Sequence, residues 1–241
     1  MKAFLLAAGH GTRLRPLTDN IPKCLVPIRG VPMLEIWLEV CRRAGIGEVL
    51  VNLHAHVDVV RRVLENCKPE VKVRISEEPV LLGSAGTLLA NREWVAEESN
   101  FWVLYGDVLT ATDLRKMLAF HSRHRPLATL GLYQVEDPGR CGIVSFDDDL
   151  VVREFAEKPT HPRSNWAFSG LMLATPELLQ SIPPRCPVDL GFDVLPQLVG
   201  RALGYPIRDF LTDVGTMENF QAAQSAWPGF PPYQNKTSGQ G

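Results

Sequence analysis

The chain has 241 residues, of which 45% are hydrophobic and 22% are charged, and its formal net charge is −2. These values are typical of one globular domain, and they exclude a basic field that would attract nucleic acid or an acidic membrane surface. With no signal-peptide pattern, no apolar run as long as a membrane span, and five cysteines without a C-x-x-C pair, a cytoplasmic location is expected.

Strand and helix patterns alternate along the first half of the chain. An apolar strand is predicted at 3–8, directly before a glycine-rich segment. Further strands are predicted at 48–53, 71–75 and 101–105, with helices at 32–40, 57–64 and 84–90. This alternation favours a mostly parallel sheet with helices on both faces.

The pattern loosens in the second half. Strands are predicted at 127–135, 143–146, 151–155, 167–174 and 206–211, with helices near 191–203 and 215–227. The predicted fold is therefore α/β, a Rossmann-like three-layer α/β/α sandwich around a mixed, mostly parallel central sheet. The segment 228–241 is rich in proline and polar residues, which predicts a single domain at 1–227 followed by a flexible tail.

The segment after the first strand predicts a phosphate-binding loop. Gly9 and Gly11 allow the main chain to approach a bulky anion and turn its N–H groups toward it. Arg13 and the proline-flanked Lys23 add the positive charge that a triphosphate requires. Because open α/β sheets bind ligands at the carboxyl ends of their strands, this loop is in the expected place.

Two better-known glycine-rich loops do not match. The dinucleotide fingerprint needs a third glycine, and Leu14 occupies that position, which disfavours a nicotinamide-dependent oxidoreductase. The P-loop needs Gly-Lys-Ser/Thr before a helix, and Arg15 and Pro16 occur there instead. An ordinary glycine-rich turn is the remaining alternative, and the two cations and the length of the motif argue against it.

Two aspartates predict a divalent metal site. Asp107 directly follows an apolar strand, and Asp213 occupies the same position after the last predicted strand. Two strand-end carboxylates that face a triphosphate form a suitable site for Mg²⁺, which prefers oxygen ligands and phosphate co-ligands. Each aspartate taken alone would be interpreted as a helix cap or a turn residue. Taken together with the predicted phosphate loop, the two aspartates favour a metal site.

The run 7–28 resembles the signature of the sugar-1-phosphate nucleotidyltransferases, G-x-G-T-R-L-x-P-L-T followed by P-K-x-L-x-P-I. The resemblance implies that a sugar 1-phosphate and a nucleoside triphosphate react to give a nucleoside-diphosphate-sugar and pyrophosphate, with Mg²⁺ held by Asp107 and Asp213. It implies catalytic roles for Arg13 and Lys23. The implied nucleotide-binding residues are Ala7, Ala8, Gly9, Gly11, Thr12, Arg13, Lys23, Glu78, Gly83, Ser84 and Asp107. Glu78, Gly83 and Ser84 belong to the stretch 78–87, which resembles the family's nucleobase-binding segment and is called the predicted base segment below. The implied sugar-phosphate-binding residues are Gly142, Glu157, Lys158 and Ser169.

The sequence departs from the family pattern on the sugar side. Cys141 replaces the usual aromatic residue before Gly142, and Ser169 occurs where relatives commonly have asparagine, so the sugar is left open. The stretch 189–196 and the motif at 213–220 resemble mannose-1-phosphate guanylyltransferase-like chains, which favours GTP with a mannose- or heptose-type 1-phosphate. A uridylyl- or thymidylyltransferase that acts on a hexose- or amino-sugar 1-phosphate is the alternative within the class.

An alternative of another class is a regulatory relative that binds nucleotide sugars without catalysis. Degenerate sites usually lose a charged member, whereas Arg13, Lys23, Asp107, Lys158 and Asp213 are all present. No hexapeptide repeat follows, so a bifunctional acetyltransferase form is not expected. A homodimer is compatible with the sequence, although no self-complementary helix face indicates one.

Overall fold

The computed structural model describes residues 1–9 and 11–230. The strands are β1 Lys2–Leu6, β2 Pro27–Ile28, β3 Val31–Pro32, β4 Glu48–Leu53, β5 Lys72–Glu77, β6 Phe101–Tyr105, β7 Val108–Thr110, β8 Ala128–Gln134, β9 Gly142–Phe146, β10 Val152–Glu157, β11 Trp166–Ala174, β12 Ala202–Pro206 and β13 Leu211–Asp213. The α-helices are α1 Met33–Arg43, α2 Val57–Cys67, α3 Ser84–Ala90, α4 Arg92–Val95, α5 Leu114–His124 and α6 Met217–Ala226. A π-helical turn, Leu190–Val194, lies between β11 and β12.

The central sheet is mixed. Strands β6, β1, β4 and β5 are neighbours in that order and run parallel. Strand β11 pairs antiparallel with β6 and also with β8 and β9, and the β9–β10 hairpin forms one end of the sheet. Because β1, β4 and β6 are parallel neighbours, their carboxyl ends meet at one edge, where the predicted phosphate loop begins.

Two hydrophobic cores lie on opposite faces of this sheet. Successive residues of β1 alternate between them, since Ala3 and Leu5 pack with α1 while Phe4 packs with α3 and α4. Helix α1 buries Leu34, Trp37 and other apolar residues against the first core. The sheet therefore forms the middle of three layers, which confirms the predicted fold class.

The predictions for 191–203 and 206–211 are wrong. The first region contains the π-helical turn and a short 3₁₀ segment, Leu195–Leu198, and not one helix. Strand β12 occupies the end of the predicted helix because it pairs in parallel with β8, a long-range contact that local periodicity does not reveal. The main chain then leaves the central sheet at Ile207 and returns as β13, which pairs with β7.

The last described residues pack onto the domain. The Phe230 ring lies 5.4 Å from the Trp227 ring, and the Arg43 guanidinium lies 4.4 Å from the Phe230 ring centre. Residues 231–241 of the predicted tail lie outside the described residues. Within the described part of the chain, no helix has the length and apolar character that crossing a membrane would require.

Candidate active site

A cavity of about 410 Å³ opens at the carboxyl ends of β1, β4 and β6. Its wall contains every residue predicted to bind the nucleotide: Ala7, Ala8, Gly9, Gly11, Thr12, Arg13, Lys23, Glu78, Gly83, Ser84 and Asp107. These residues come from four separate segments of the sequence. The fold therefore brings the predicted phosphate loop, the predicted base segment and one predicted metal ligand to a single concave surface.

An ion pair joins the phosphate loop to the end of β6. Nζ of Lys23 lies 2.6 Å from Oδ2 of Asp107, and the two side chains are only 12% and 29% exposed. Because few water molecules reach them, this charge-assisted hydrogen bond holds both groups in place more firmly than a surface pair would. Lys23 and Asp107, which are far apart in the sequence, thus form an ion pair in the wall of the cavity.

Asp213 lies beside this pair. Val214 N donates a 2.7 Å hydrogen bond to Asp107 O, which links the ends of β7 and β13. Burial and the neighbouring Asp107 carboxylate raise the pKa of Asp213, while Lys23 and Arg13 lower it. Arg13 reaches the same place, because a Cβ added at Gly215 would lie 3.1 Å from its Nη2 atom. The two aspartates and the two loop cations therefore form one charged cluster.

The donor set of this cluster fits a hard divalent cation. Burial first, and then the neighbouring Asp107 carboxylate, raise the pKa of Asp213, and a bound dication would offset both effects by stabilising the charged carboxylate. Within residues 1–9 and 11–230, no group of three or more His, Cys, Asp or Glu side chains is placed to hold a metal. Two carboxylates are nonetheless the usual protein contribution to a Mg²⁺ that phosphate groups also ligate.

Glu78 belongs to the cavity wall, although only 2% of its surface is exposed. Its Oε1 accepts hydrogen bonds from Asn52 Nδ2 at 2.9 Å and from Thr87 Oγ1 at 2.5 Å, and its Oε2 accepts one from Leu82 N at 3.2 Å. Asn52 Oδ1 in turn accepts from Ala7 N at 2.7 Å. This network ties the predicted base segment to the start of the phosphate loop.

The predicted base segment is also locked to the chain before the π-helical turn. Ala85 N and Gly86 N both donate to Val188 O, and Val188 N donates to Leu82 O. Gly83 has φ +82°, and a Cβ there would lie 2.8 Å from the Val188 carbonyl carbon. Only glycine fits this approach, so the position predicted to admit a ligand also allows two segments of main chain to pack together.

A hydroxyl–carboxylate contact extends this junction toward the sugar side. Ser84 Oγ donates to Asp189 Oδ2 at 2.9 Å and accepts from Leu190 N at 2.7 Å. The other Asp189 oxygen accepts from Phe192 N. The predicted nucleotide-binding helix and the π-helical turn are therefore one connected unit.

The residues predicted to hold the sugar phosphate lie next to the cavity and outside its wall. Glu157 pairs with Gly142 across the β9–β10 hairpin, and a Cβ at Gly142 or at Gly191 would lie 2.7 or 2.5 Å from its Oε2 atom. Lys158 Nζ lies 3.5 Å from the Glu157 carboxylate and 5.5 Å from the Phe192 ring centre. Burial raises the pKa of Glu157, Lys158 lowers it and Asp189 raises it. The β9–β10 hairpin and the π-helical turn thus surround the carboxylate of Glu157.

Ser169 is placed differently from the other predicted sugar-side residues. It is 3% exposed, its Oγ accepts from Leu171 N at 3.2 Å, and a Cβ at Gly131 would lie 2.6 Å from that oxygen. The hydroxyl therefore faces the neighbouring strand β8 inside the sheet. Its predicted contact with the sugar remains a prediction.

Three polar residues of this region have no place in the site predicted from the sequence. Asn52 is a polar residue at the end of an otherwise apolar strand, which is a signal that could have identified it. Tyr105 immediately precedes the predicted metal ligand and lines the cavity. Asp189 has no local signal, because only the tertiary structure places it beside Ser84.

The sequence matches the family model described as nucleotidyl transferase over residues 2–228. Mannose-1-phosphate guanylyltransferase catalytic subunit beta of Xenopus tropicalis is 32% identical over 226 residues, and mannose-1-phosphate guanylyltransferase 1 of Arabidopsis thaliana is 31% identical over 227. Each match covers 91% of this chain but only 62% or 63% of the relative. The chain thus spans less than two thirds of the length of these curated relatives.

Solved structures share the fold. A Bacillus anthracis protein crystallised with sucrose has a TM-score of 0.83 at 24% identity, over 93% of this chain and 94% of that chain. HddC from Yersinia pseudotuberculosis has a TM-score of 0.79 at 25% identity, over 92% of this chain and 97% of that chain.

Proposed function

This chain belongs to the nucleotidyl transferase family, and we propose that it makes a nucleoside-diphosphate-sugar from a sugar 1-phosphate and a nucleoside triphosphate. The observation that carries the proposal is the charged cluster at the cavity: Lys23 and Asp107 in contact, with Arg13 and Asp213 beside them. A loop of main-chain N–H groups, two cations and two carboxylates is the set of groups that a metal-bound triphosphate requires.

The chemistry is an in-line displacement at phosphorus. An oxygen of the sugar phosphate attacks the α-phosphorus of the triphosphate, a new P–O bond forms, and the bond to the β-phosphate oxygen breaks to release pyrophosphate. The attacking oxygen is already anionic, so no general base is needed. The protein must instead hold two mutually repelling anions together and stabilise the negative charge of the transition state.

The cations of the site divide this task. Arg13 faces the departing phosphates, while Lys23 and Lys158 face the α-phosphate and the sugar phosphate. Mg²⁺ held by Asp107 and Asp213 would supply further neutralisation of the phosphate charge. Lys23 contacts Asp107 through one N–H of its ammonium group, and its two other N–H donors would bind phosphate oxygens.

GTP with a mannose- or heptose-type 1-phosphate is the substrate pair that we favour. Support comes from relatives named mannose-1-phosphate guanylyltransferase, at 31–32% identity over 91% of this chain. Glu78 is the candidate acceptor for a guanine amino group, although its carboxylate already accepts three hydrogen bonds within the protein. The alternative pair is UTP or TTP with a hexose- or amino-sugar 1-phosphate.

A grid of five nucleoside triphosphates against a panel of sugar 1-phosphates, read by pyrophosphate release in the presence of Mg²⁺, tests the proposal. We expect the highest turnover with GTP and mannose 1-phosphate or a heptose 1-phosphate. Highest turnover with UTP or TTP would contradict the guanylyl assignment and retain the class. No pyrophosphate from any pair would contradict catalysis and favour a binding relative.

Two further properties of the protein, its compartment and its oligomeric state, are also expected from the sequence. All five cysteines are unpaired, which supports a reducing compartment such as the cytoplasm. A homodimer is a further expectation, and the sedimentation coefficient of the purified protein tests it.

A further inference from the structure

The Asn52 side chain joins two parts of the cavity wall that are remote in the sequence. It lies on β4, next to the last residue of the strand, and is only 4% exposed. Its Oδ1 accepts a hydrogen bond from Ala7 N at 2.7 Å. Its Nδ2 donates to Glu78 Oε1 and to Thr87 Oγ1, both at 2.9 Å. One amide therefore binds the first residue after β1 and two residues of the predicted base segment.

The hydrogen-bonding partners fix the orientation of this amide. A main-chain N–H group only donates, so the Asn52 oxygen faces Ala7, and an ionised carboxylate only accepts, so the nitrogen faces Glu78. Both N–H bonds of the amide are then used within the protein, on Glu78 and on Thr87. Asn52 lines the cavity but has no donor left for a nucleotide, so it acts on a ligand through its neighbours.

The bond to Ala7 lies where the main chain leaves the central sheet. Strands β1 and β4 pair in parallel, and Leu6 and Asn52 form the last pair of that register. Ala7 is the next residue, and a side chain binds its N–H at the point where the pairing of the strands ends. Ala7, Ala8 and Gly9 then line the cavity. The direction in which the phosphate loop leaves the sheet therefore depends on this bond.

The partners of Asn52 in the predicted base segment are rigidly held. Glu78 is 2% exposed and Thr87 is fully buried. Thr87 Oγ1 donates to Glu78 Oε1 at 2.5 Å. Leu82 N donates to the other oxygen of Glu78 at 3.2 Å, and Glu78 N donates to Leu53 O at 2.8 Å. Removal of the amide would therefore take a donor from a buried carboxylate and the acceptor from the first N–H of the phosphate loop.

Resting on the proposed function, we propose that Asn52 is a positioning residue. Through Glu78 and Ala7, its amide fixes the phosphate loop relative to the predicted base segment, and it makes no contact of its own with the reacting atoms. Arg13 belongs to the same loop, so a displaced loop moves the cation that faces the departing pyrophosphate. Misplacement of reacting groups by about 1 Å costs up to about 10²-fold in rate, so turnover and pyrophosphate affinity depend on Asn52. The sugar phosphate meets Lys158, which lies outside this loop, and its KM does not depend on Asn52.

Two variants with the net charge of wild type test this assignment. Asn52→Leu removes both ends of the link without adding a charge. Asn52→Asp/Glu78→Gln transposes the amide and the carboxylate: the carboxylate at 52 still accepts from Ala7 N, and the amide at 78 donates to it. Thr129→Val is the matched control, because it removes a fully buried hydroxyl that lies 2.8 Å from His121 Nδ1 and is not part of the cavity wall.

Calorimetric titration with pyrophosphate and Mg²⁺, without nucleotide or sugar, reports on the phosphate loop directly. Relative to wild type, we expect about tenfold weaker binding in Asn52→Leu and a change of less than about threefold in the double variant. With GTP and mannose 1-phosphate, kcat should fall about 10²-fold in Asn52→Leu and recover to within about fivefold of wild type in the double variant. KM for mannose 1-phosphate should stay within about twofold of wild type in every variant, and Thr129→Val should match wild type in pyrophosphate affinity and kcat.

Wild-type pyrophosphate affinity or wild-type kcat in Asn52→Leu would overturn the inference, because the link would then serve stability alone. A double variant as impaired as Asn52→Leu would overturn it too. Urea unfolding of all three variants verifies the fold, and if Asn52→Leu does not fold, Asn52→Ser takes its place with the same expectations. If wild type releases no pyrophosphate with any pair, the proposed function fails. If wild type is active and the double variant does not recover, only the positioning role of Asn52 is contradicted.

Discussion

Nζ of Lys23 lies 2.6 Å from Oδ2 of Asp107, although 84 positions of sequence separate the two residues. The phosphate loop after β1 and the end of β6 are brought together because these strands are parallel neighbours. Substrate or metal that binds Asp107 must compete with an ammonium group already in place.

Asp107→Asn should give a folded protein with almost no turnover. The substitution keeps the shape of the side chain and removes the charge that pairs with Lys23 and would hold Mg²⁺. A loss of one such contact costs about 3–4 kcal/mol in the transition state, or a rate lower by about 10² to 10³. Pyrophosphate release measures the rate, and circular dichroism verifies the fold. A near-normal rate in excess Mg²⁺ would remove Asp107 from the metal site.

Lys23→Met should bind a divalent ion more tightly in the absence of nucleotide, while its turnover falls. Without the ammonium at 2.6 Å, the negative charge of Asp107 and Asp213 is less compensated, and a tighter Mn²⁺ affinity of about tenfold is expected. Calorimetric titration with Mn²⁺ measures this effect. Lys116→Met, on the exposed face of α5, is the control for loss of one positive charge. Equal affinities in the two variants would show that Lys23 does not compete with the metal.

Gly83→Ala and Gly200→Ala form a matched pair for the packing of the predicted base segment. Both glycines have positive φ, +82° and +78°, so both substitutions carry the cost of a strained backbone. Only at 83 would the new Cβ collide with main chain, at 2.8 Å from the Val188 carbonyl carbon, whereas Gly200 has open space.

We expect Gly83→Ala to lower the free energy of unfolding by about 1–3 kcal/mol more than Gly200→Ala does, as for overpacked sites. It should also raise KM for the nucleoside triphosphate, because the segment joined to Val188 lines the cavity. Urea unfolding and initial rates measure the two effects. Identical unfolding curves for the two variants would contradict the packing argument.

His121 should make the fold sensitive to mild acid. It is buried on α5, and its Nδ1 lies 2.8 Å from Thr129 Oγ1. Burial lowers the pKa of His121 from 6.5 to about 4. Between pH 6.5 and about 4, His121 therefore binds a proton in the unfolded chain and stays neutral in the folded protein. The stabilisation is fully present above pH 6.5 and decreases as pH falls toward 4, by up to about 3 kcal/mol.

Urea unfolding between pH 7 and pH 4 measures this loss. In His121→Gln the dependence on pH should be shallower over that window, because the titrating group is gone. His124→Gln, on the exposed side of the same helix, should keep the wild-type slope. A wild-type slope in His121→Gln would assign the acid sensitivity to other groups.

The local sequence pattern was sufficient to predict most strands of the central sheet. The strands β1, β4 and β6 were predicted because each is a short apolar run bounded by polar or glycine residues, and buried parallel strands have that composition. Strand β12 was missed, and part of it was read as helix. Its residues Ala202–Pro206 have no strand-like alternation, and the partner strand β8 decides their conformation.

The sequence by itself determined which residues are candidates for the site, because the loop glycines, the two cations and the two strand-end aspartates are recognised by residue type and spacing. Only the tertiary structure decided their pairing: that Lys23 contacts Asp107, that Glu78 is satisfied by Asn52, Thr87 and Leu82, and that Asp189 binds Ser84. Such contacts depend on which strands are neighbours and on how closely main chains approach. Those distances follow from the packing of the whole domain, and no local stretch of sequence contains them.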